Sequence, residues 1–202
     1  MKKIKEILIG TNNLGKYKEI CSLLPKKIKK HSLNEFKILT PKETGKSFKE
    51  NSFIKASYFS KKTNLICLSD DSGLEIDLLD GAPGIYSSRW AGEKNDFDLG
   101  IRKIFEKINK VEKKCSKNKK SRFVCCMTLF WPNGKNLSSK GVIEGKISNQ
   151  KKGNKGFGYD PIFIPDGYEQ TFGEMESNLK MSIDHRYKAF SKIEKFFFKK
   201  PL

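Results

Sequence analysis

Two adjacent carboxylates, Asp70 and Asp71, are the first candidates for chemistry in this sequence. They end the segment LICLSDD (residues 65–71), whose apolar residues predict a buried central strand. In α/β proteins, active sites lie at the carboxyl ends of strands, where an acid can hold Mg²⁺ or activate water. Because adjacent strand residues point to opposite faces, we expect one carboxylate to face the site and the other to fix backbone or a cation. A solvated Asp-Asp-Ser-Gly turn is the alternative.

A candidate phosphate-binding loop lies near the start of the chain. The segment from Gly10 to Lys16 has the spacing Gly-x-x-x-x-Gly-Lys, which nearly matches the Walker phosphate loop. Tyr17, however, replaces the Ser or Thr that holds Mg²⁺ in that loop. A strand, a Gly-containing loop and a helix would still offer backbone N–H groups and a lysine to a phosphate. A plain strand-to-helix turn explains the segment equally well.

Three further segments carry polar residues in patterns that suit a nucleotide site. In ETGKSFKENSFIKA (43–56), Ser47 is a predicted N-cap with Glu50 as its capping-box partner, and capping is the simpler explanation of Glu50. In GNKGFGYDP (153–161), glycines allow close approach, an aromatic ring can stack on a base, and a carboxylate can accept from its N–H groups. The third, KMSIDHRYKA (180–189), contains a lone histidine, which is more often structural than catalytic.

The intervening segments predict a mixed α/β fold in one domain, residues 1–202. Strands alternate with helices in the first half, and RFVCCMTLFWPNGKNLSSKGVIEGKIS predicts a long hairpin that turns at Pro132-Asn133-Gly134. Predicted strands cover 4–11, 36–40, 65–71 and part of 152–170, with strand and turn at 74–87; predicted helices cover 15–24, 47–63, 97–111 and 186–198, and a solvated basic connector covers 26–32.

The charge of the chain favours polyanionic partners. Lys and Arg number 41 against 23 Asp and Glu, a formal charge of +18, which suits phosphorylated ligands or nucleic acid. Because the excess lysines are spread along the whole chain, compositional drift with a preference for phosphorylated ligands is the favoured explanation. The segment RFVCCMTLFW is too apolar for an exposed base-stacking platform, so no specific nucleic-acid partner is expected.

The cysteines and the hydropathy pattern predict a cytoplasmic protein. No C-x-x-C spacing occurs, so the cysteines are interpreted as thiols in a reducing compartment, and two histidines are too few for a His/Cys zinc site. No apolar stretch approaches the roughly 20 residues that cross a bilayer, and the N-terminus lacks the apolar core of a signal peptide. The cysteines are Cys21, Cys67, Cys115, Cys125 and Cys126.

In their order along the chain, these segments resemble the inosine triphosphate pyrophosphatase family, the non-canonical purine NTP pyrophosphatases. The stretch DDSGLEIDLLDGAPGIYSSRWAG (70–92) is highly specific. The resemblance implies a mixed, two-lobed elongated α/β fold with a central sheet flanked by helices, a nucleotide cleft between lobes, and a homodimer. The other matching stretches are TNNLGK (11–16), ETG…F-x-EN…K (43–55), GFGYDPIF (156–163), PDGYEQTFGEM (165–175) and HRYKA (185–189).

The same resemblance implies a reaction and the residues that perform it. Family members hydrolyse ITP, dITP and XTP to the monophosphate and pyrophosphate with Mg²⁺. Glu43 and Asp71 would hold Mg²⁺, and Asp71 would also activate water for in-line attack on the α-phosphorus. The other residues would bind substrate: Thr11, Asn12, Asn13, Leu14, Gly15, Lys16, Lys55 and Ser72 at the phosphates, and Phe157, Gly158, Tyr159, Asp160, Lys180, His185 and Arg186 in the rest of the nucleotide pocket.

Selectivity is expected to depend on the purine 6-position. A donor such as Arg186 aimed at O6 would suit inosine and xanthine and would be left unpaired by adenine, whereas exclusion of GTP must involve its 2-amino group. Asp184 departs from the family pattern, which usually has Ser before His-Arg; a carboxylate there could pair with Arg186 or lower the local positive potential. A pyrophosphatase for other nucleotides and a basic nucleic-acid-binding module are the alternatives.

Overall fold

The computed structural model describes residues 4–112 and 119–198, which contain six β-strands and six α-helices. Cys115 lies outside the described residues, and the other four cysteines are thiols, as expected. The strands are β1 (Glu6–Ile9), β2 (Lys29–His31), β3 (Cys67–Ile76), β4 (Lys120–Phe130), β5 (Asn136–Ile147) and β6 (Phe163–Pro165). The helices are α1 (Leu14–Leu23), α2 (Phe48–Thr63), α3 (Ser87–Trp90), α4 (Phe97–Glu112), α5 (Ser177–Ile183) and α6 (His185–Phe190).

The strands form one mixed sheet in the order β2-β1-β3-β4-β5-β6. β1 runs parallel to both β2 and β3, with Leu8 opposite His31 on one side and Cys67 on the other. β5 and β6 are antiparallel, and β4 and β5 are neighbours joined by the short turn after Phe130. The predicted mixed α/β class, with a sheet flanked by helices, is therefore confirmed, as is the predicted hairpin.

By its internal contacts the chain divides into two compact units, each with its own apolar core. In the first unit, Ile7 and Ile9 of β1 pack with Ile20 of α1 and Phe190 of α6. Burying side chains of this size stabilises the fold by roughly 1.5–3 kcal/mol each. The first unit takes in the described residues up to Asp71, Cys125–Gly141 and those from His185 onward; the second takes in Ser72–Val124 (less the undescribed residues) and Val142–Asp184.

The second unit is built around α4. Its buried residues Ile101, Ile104 and Ile108 recur at helical spacing and pack in one cluster with Leu74 of β3 and Phe163 of β6. This periodic apolar face made α4 predictable from the sequence. None of the helices in 4–112 and 119–198 is long and apolar enough to span a membrane.

Three predicted elements away from the two adjacent carboxylates differ from the structure. The basic connector is wrong in part, because residues 29–31 form the edge strand β2, paired with β1. The strand predicted at 36–40 does not form: a 3₁₀ turn at Leu33–Glu35 precedes it, and Lys37 adopts a left-handed φ of 50° that turns the chain. The closing helix is shorter than predicted, since α6 ends at Phe190 and a separate 3₁₀ turn follows at Glu194–Phe196.

Candidate active site

The opening loop, residues 10–13, places the N-terminus of α1 next to β3. A Cβ at Gly10 would lie 2.0 Å from Ser69 Oγ, so only glycine allows this close approach. Asn13 is the N-cap of α1, and its Oδ1 accepts from the Lys16 N–H at 3.0 Å. The arrangement provides the strand, loop and helix N-terminus that suit an anion.

Two of the side chains predicted to bind phosphate in this loop are bonded within the chain. Thr11 Oγ1 accepts from the Asn13 N–H at 3.2 Å, and Asn12 Nδ2 donates to Thr40 Oγ1 at 2.5 Å. Leu14 is exposed, and Gly15 and Lys16 follow it in the first turn of the helix. The side chains of residues 11–13 thus shape the loop, and the lysine supplies its charge.

Lys16 belongs to a buried ion cluster centred on Asp70. Lys16 Nζ lies 3.2 Å and Arg186 Nη2 lies 3.4 Å from Asp70 Oδ2, and Arg186 Nη1 also donates to Glu19 of α1. Burial would raise the pKa of Asp70, but the charges of Lys16 and Arg186 hold it well below its usual range. Asp70 therefore fixes two cations, one from α1 and one from α6, against β3.

A second cluster brings Glu43 and Asp71 together on Lys55. Lys55 Nζ lies 2.5 Å from Glu43 Oε1 and 3.4 Å from Asp71 Oδ1, and the side chains of Lys55 and Asp71 are each only 8% exposed. Burial would lower the pKa of Lys55, but the two carboxylates more than reverse this effect and raise it. The charged ammonium thus holds the carboxylate of the loop before α2 beside the carboxylate on β3.

Asp71 has the properties of a proton acceptor. Burial raises its pKa, and the nearby carboxylates Glu43 and Asp70 add to the increase, against the opposing charges of Lys55 and Lys16. Its Oδ2 is buried and has no hydrogen-bond partner within 4–112 and 119–198. A carboxylate with a raised pKa and an unbonded oxygen is suited to general base catalysis.

The carboxylates of Glu43 and Asp71 also suit a hard cation. They already converge on one positive charge, that of Lys55. In the part of the chain that the structure describes, no group of three His, Cys, Asp or Glu side chains could hold a metal ion by itself. Mg²⁺ is commonly held by one or two carboxylates while phosphates and waters complete its ligands. The pair therefore fits Mg²⁺ that is shared with a phosphorylated ligand.

Asp70 and Asp71 occupy a different part of the strand from the one predicted. The strand was expected to end at Asp71, which is wrong, because β3 continues to Ile76. β1 nevertheless ends at Ile9, opposite Leu68, so the two carboxylates lie two and three residues after the last residue paired with β1. Asp70 lies in the ion cluster and Asp71 contacts the lysine of α2, so both carboxylates hold a cation. That one of the two faces the site stays a prediction.

In the second unit, Asp160 joins Lys180 and Phe157 in one cluster. Lys180 Nζ lies 2.6 Å from Asp160 Oδ2, and both side chains are buried. The same oxygen accepts from the Phe157 N–H at 2.8 Å. Lys180 Nζ also lies 5.0 Å from the centre of the Phe157 ring, within the range of a cation–π contact. Three residues predicted from the sequence therefore form one fixed group that orients an aromatic ring.

Tyr159, another predicted site residue of the second unit, is buried and bonded within that unit. Its Oη donates to the Ser87 carbonyl at 2.8 Å, and its ring meets that of Phe97 edge-on at 5.3 Å. Burial raises the pKa of Tyr159, so it stays neutral and holds the glycine-rich loop in place. Gly158 precedes it in that loop, and Ser72 is half-buried on β3.

Residues at the start of α6 are also buried. His185 is the first residue of the helix, and Asp184 precedes it as the C-cap of α5. Gly141 lies so close to this turn that a Cβ there would come within 2.1 Å of the His185 carbonyl. The interpretation from sequence missed Glu19, whose signal was its place one turn after Lys16 on α1.

Known proteins are similar to this chain in sequence and in fold. The model of the Ham1 family matches residues 7–196. The chain belongs to the Ham1 family. This Ham1 chain is similar to a dITP/XTP pyrophosphatase of Zymomonas mobilis, with 39% identity over 93% of this chain and 89% of that protein. A dITP/XTP pyrophosphatase of Bartonella quintana is 41% identical over 92% of both chains. A solved Ham1 structure from Coxiella burnetii has a TM-score of 0.85 and 35% identity, covering 94% of this chain and 96% of that one.

Proposed function

We propose that this Ham1 chain hydrolyses dITP, ITP and XTP to the corresponding monophosphate and pyrophosphate. The observation that carries the proposal is the similarity, over about nine-tenths of both chains, to relatives named dITP/XTP pyrophosphatase. The two residue clusters support it, because they gather lysines and carboxylates in one unit and an oriented aromatic ring in the other. Such hydrolysis removes unusual purines from the nucleotide pool.

Most of the groups proposed to bind the triphosphate belong to the first unit, and Ser72 is the residue after Asp71 on β3. The Leu14 and Gly15 N–H groups at the start of α1 would donate to an anion, and the Lys16 and Lys55 ammonium groups would offset its charge. Ser72 would donate its hydroxyl to a phosphate. A cluster with several buried charges of both signs suits a ligand that carries both phosphates and a cation, which supports this assignment.

Glu43 and Asp71 would hold Mg²⁺. When bound, Mg²⁺ would neutralise phosphate oxygens and lower the pKa of a bound water. The shared contact of both carboxylates with Lys55, together with the unbonded Asp71 Oδ2 of the described chain, supports the choice of these two ligands.

Asp71 acts as the base in the proposed reaction. Its carboxylate takes the proton of a water that attacks the α-phosphorus in line with the leaving pyrophosphate. The raised pKa of Asp71 supports this role, because burial favours proton uptake by the carboxylate. Lys16 and Lys55 then offset the negative charge that develops on the phosphate oxygens. No residue serves as a covalent nucleophile.

The second unit supplies the group that stacks on the base. Phe157 offers its ring, held by the Asp160 and Lys180 contacts. In the first unit, Arg186, which is bonded to Glu19 and Asp70, is proposed to donate also to the purine O6, an acceptor that adenine lacks. Tyr159 holds the loop that contains Gly158 through its bond to the Ser87 carbonyl. His185, at the start of α6, is the remaining residue proposed to contact the nucleotide.

Asp71→Asn tests the proposed mechanism. The variant keeps the size of the side chain but removes the proton acceptor, so we expect XTP hydrolysis to fall by a factor of about 10² or more, the scale of general base catalysis. Nucleotide binding, measured by calorimetry, should be largely retained. Turnover near that of the wild type would eliminate Asp71 as the base.

We further propose that the protein is a cytoplasmic homodimer without a specific nucleic-acid partner. The similarity to the Ham1 family supports the first part, and the wide spread of the lysines along the sequence supports the last. Sedimentation velocity would test the dimer. Salt-sensitive binding to random oligonucleotides without hydrolysis of nucleotides would instead support a nucleic-acid-binding module.

A further inference from the structure

Asn51 of α2 is bonded to the loop that carries Glu43. The Asn51 side chain is 0% exposed, and its Oδ1 accepts from the Gly45 N–H at 2.9 Å. Asn51 and Lys55 are one helical turn apart and so lie on the same face of α2. Since Lys55 holds the Glu43 carboxylate, the loop is attached to this face of the helix at two points.

Gly45 is required for this attachment. A Cβ at Gly45 would come within 2.6 Å of Asn51 Oδ1 and 2.7 Å of Glu50 Cβ, which is closer than such atoms approach. A cavity of about 590 Å³ opens beside the same segment and is lined in part by Thr44, Gly45 and Ser47. The segment therefore has open space on its cavity side, and on the helix side the Gly45 N–H bond to Asn51 holds it.

The NH₂ group of the Asn51 side chain argues against a role of Asn51 in stability alone. Asn51 Nδ2 is buried and has no hydrogen-bond partner in the described residues, 4–112 and 119–198. Burying a donor without a partner costs free energy, and a leucine of similar size would avoid that cost. The amide is therefore best explained by what its oxygen holds.

We infer that Asn51 is a positioning residue that docks the Glu43 loop on α2 and so sets the affinity of Glu43 and Asp71 for a divalent cation. The inference rests on the proposed function only in assigning that cation to these two carboxylates. Without the Gly45 bond, Glu43 leaves its place beside Asp71 for part of the time. Binding of the cation must then include the cost of docking the loop again, which weakens it.

Two variants test this role from the two sides of the bond. Asn51→Leu removes the acceptor, and Gly45→Ala keeps the amide but pushes the loop away from the helix. For both we expect Mn²⁺, measured by electron paramagnetic resonance without nucleotide, to bind about threefold to tenfold more weakly, the range of one hydrogen bond. In XTP hydrolysis, the half-saturating Mg²⁺ concentration should rise by a similar factor, while kcat at saturating Mg²⁺ stays within about twofold.

Glu50 gives a matched control on the same helix. Its Oε2 accepts from the Lys46 N–H at 2.7 Å on an exposed face, so Glu50→Gln should change Mn²⁺ affinity by less than about twofold, as expected for a water-exposed contact. Glu43→Gln, which removes a ligand itself, should weaken Mn²⁺ binding more than either test variant.

Mn²⁺ affinity equal to that of the wild type in Asn51→Leu and Gly45→Ala would overturn the inference. A purely structural role would instead lower the urea midpoint and the folded fraction without moving the Mn²⁺ affinity of the folded protein, and would overturn it too. If Asn51→Leu does not fold, Gly45→Ala decides. If Mn²⁺ affinity shifts as expected but the wild type releases no pyrophosphate, the proposed function fails and the inference stands.

Discussion

Replacing Gly156 with alanine tests whether the Asp160–Lys180 pair holds the aromatic loop. Gly156 has a φ of +72°, and a Cβ there would lie 2.1 Å from Asp160 Oδ2. Gly158, two residues on, has a φ of +68°, but the nearest atoms to its Cβ belong to Phe97 at 3.6 Å. Alanine therefore has a similar conformational cost at both glycines, and only the first substitution displaces the carboxylate.

The expected magnitudes follow from these contacts. A left-handed conformation costs a residue with a Cβ roughly 1–2 kcal/mol. Displacing Asp160 also weakens its bonds to the Lys180 ammonium and the Phe157 N–H, and a hydrogen bond to a charged group contributes about 1.5–3 kcal/mol. We expect Gly158→Ala to lower the free energy of unfolding by about 1–2 kcal/mol. For Gly156→Ala we expect a loss of about 3–5 kcal/mol.

Urea unfolding followed by circular dichroism measures both losses under one set of conditions. The KM for XTP gives a second readout, because Phe157 loses its fixed orientation only in Gly156→Ala, and KM should rise more in that variant than in Gly158→Ala. Equal loss of stability in the two variants would refute the reasoning, since the difference between them isolates the contact with Asp160.

Three further substitutions test other contacts. His31 bonds to Glu35 and Glu6 at 2.8 and 3.0 Å, and the bond to Glu35 is the main reason that its pKa is raised. Because the pKa of His31 is raised in the fold, its contribution to the free energy of unfolding is complete below the unfolded pKa of about 6.5 and is lost as pH rises through the folded pKa. The difference in free energy of unfolding between wild type and His31→Gln should therefore shrink in urea titrations from about pH 6 to about pH 9. A constant difference would contradict this. Asp70→Asn leaves two buried cations without their shared carboxylate and should lower the free energy of unfolding by about 3–5 kcal/mol; a loss below about 1 kcal/mol, typical of an exposed pair, would argue against a buried cluster. Arg186→Ala should reduce the ratio of kcat/KM for ITP to that for ATP, and an unchanged ratio would show that selectivity resides elsewhere.

Elements with a strong local pattern were predictable from the sequence. α4 has an apolar face at helical spacing, and Ser47 caps α2 by accepting from the Glu50 N–H, as predicted. The reciprocal half of that capping box differs, because the Glu50 carboxylate accepts from Lys46 instead of the N-cap. Both features depend on residues within one or two turns of each other, which the sequence shows directly.

Features that depend on distant residues were not predictable. From the sequence, residues 29–31 were interpreted as part of a basic connector, because their pairing with β1, which makes them the strand β2, has no local signal. Glu19 lies one turn after Lys16 on α1, but the sequence does not show its contact with Arg186, at the far end of the chain. The proposed role of Asn51 likewise follows from its bond to the Gly45 N–H, which the sequence around Asn51 does not predict. Long-range contacts of this kind require the fold.

The most direct test of the proposed function is the hydrolysis of XTP, dITP and ATP by the wild-type protein in ¹⁸O-labelled water with Mg²⁺. Attack at the α-phosphorus predicts pyrophosphate as the product and ¹⁸O in the monophosphate, with XTP and dITP hydrolysed far faster than ATP. Release of orthophosphate from the terminal position, as at a Walker site, or equal rates on all three nucleotides, would contradict the account.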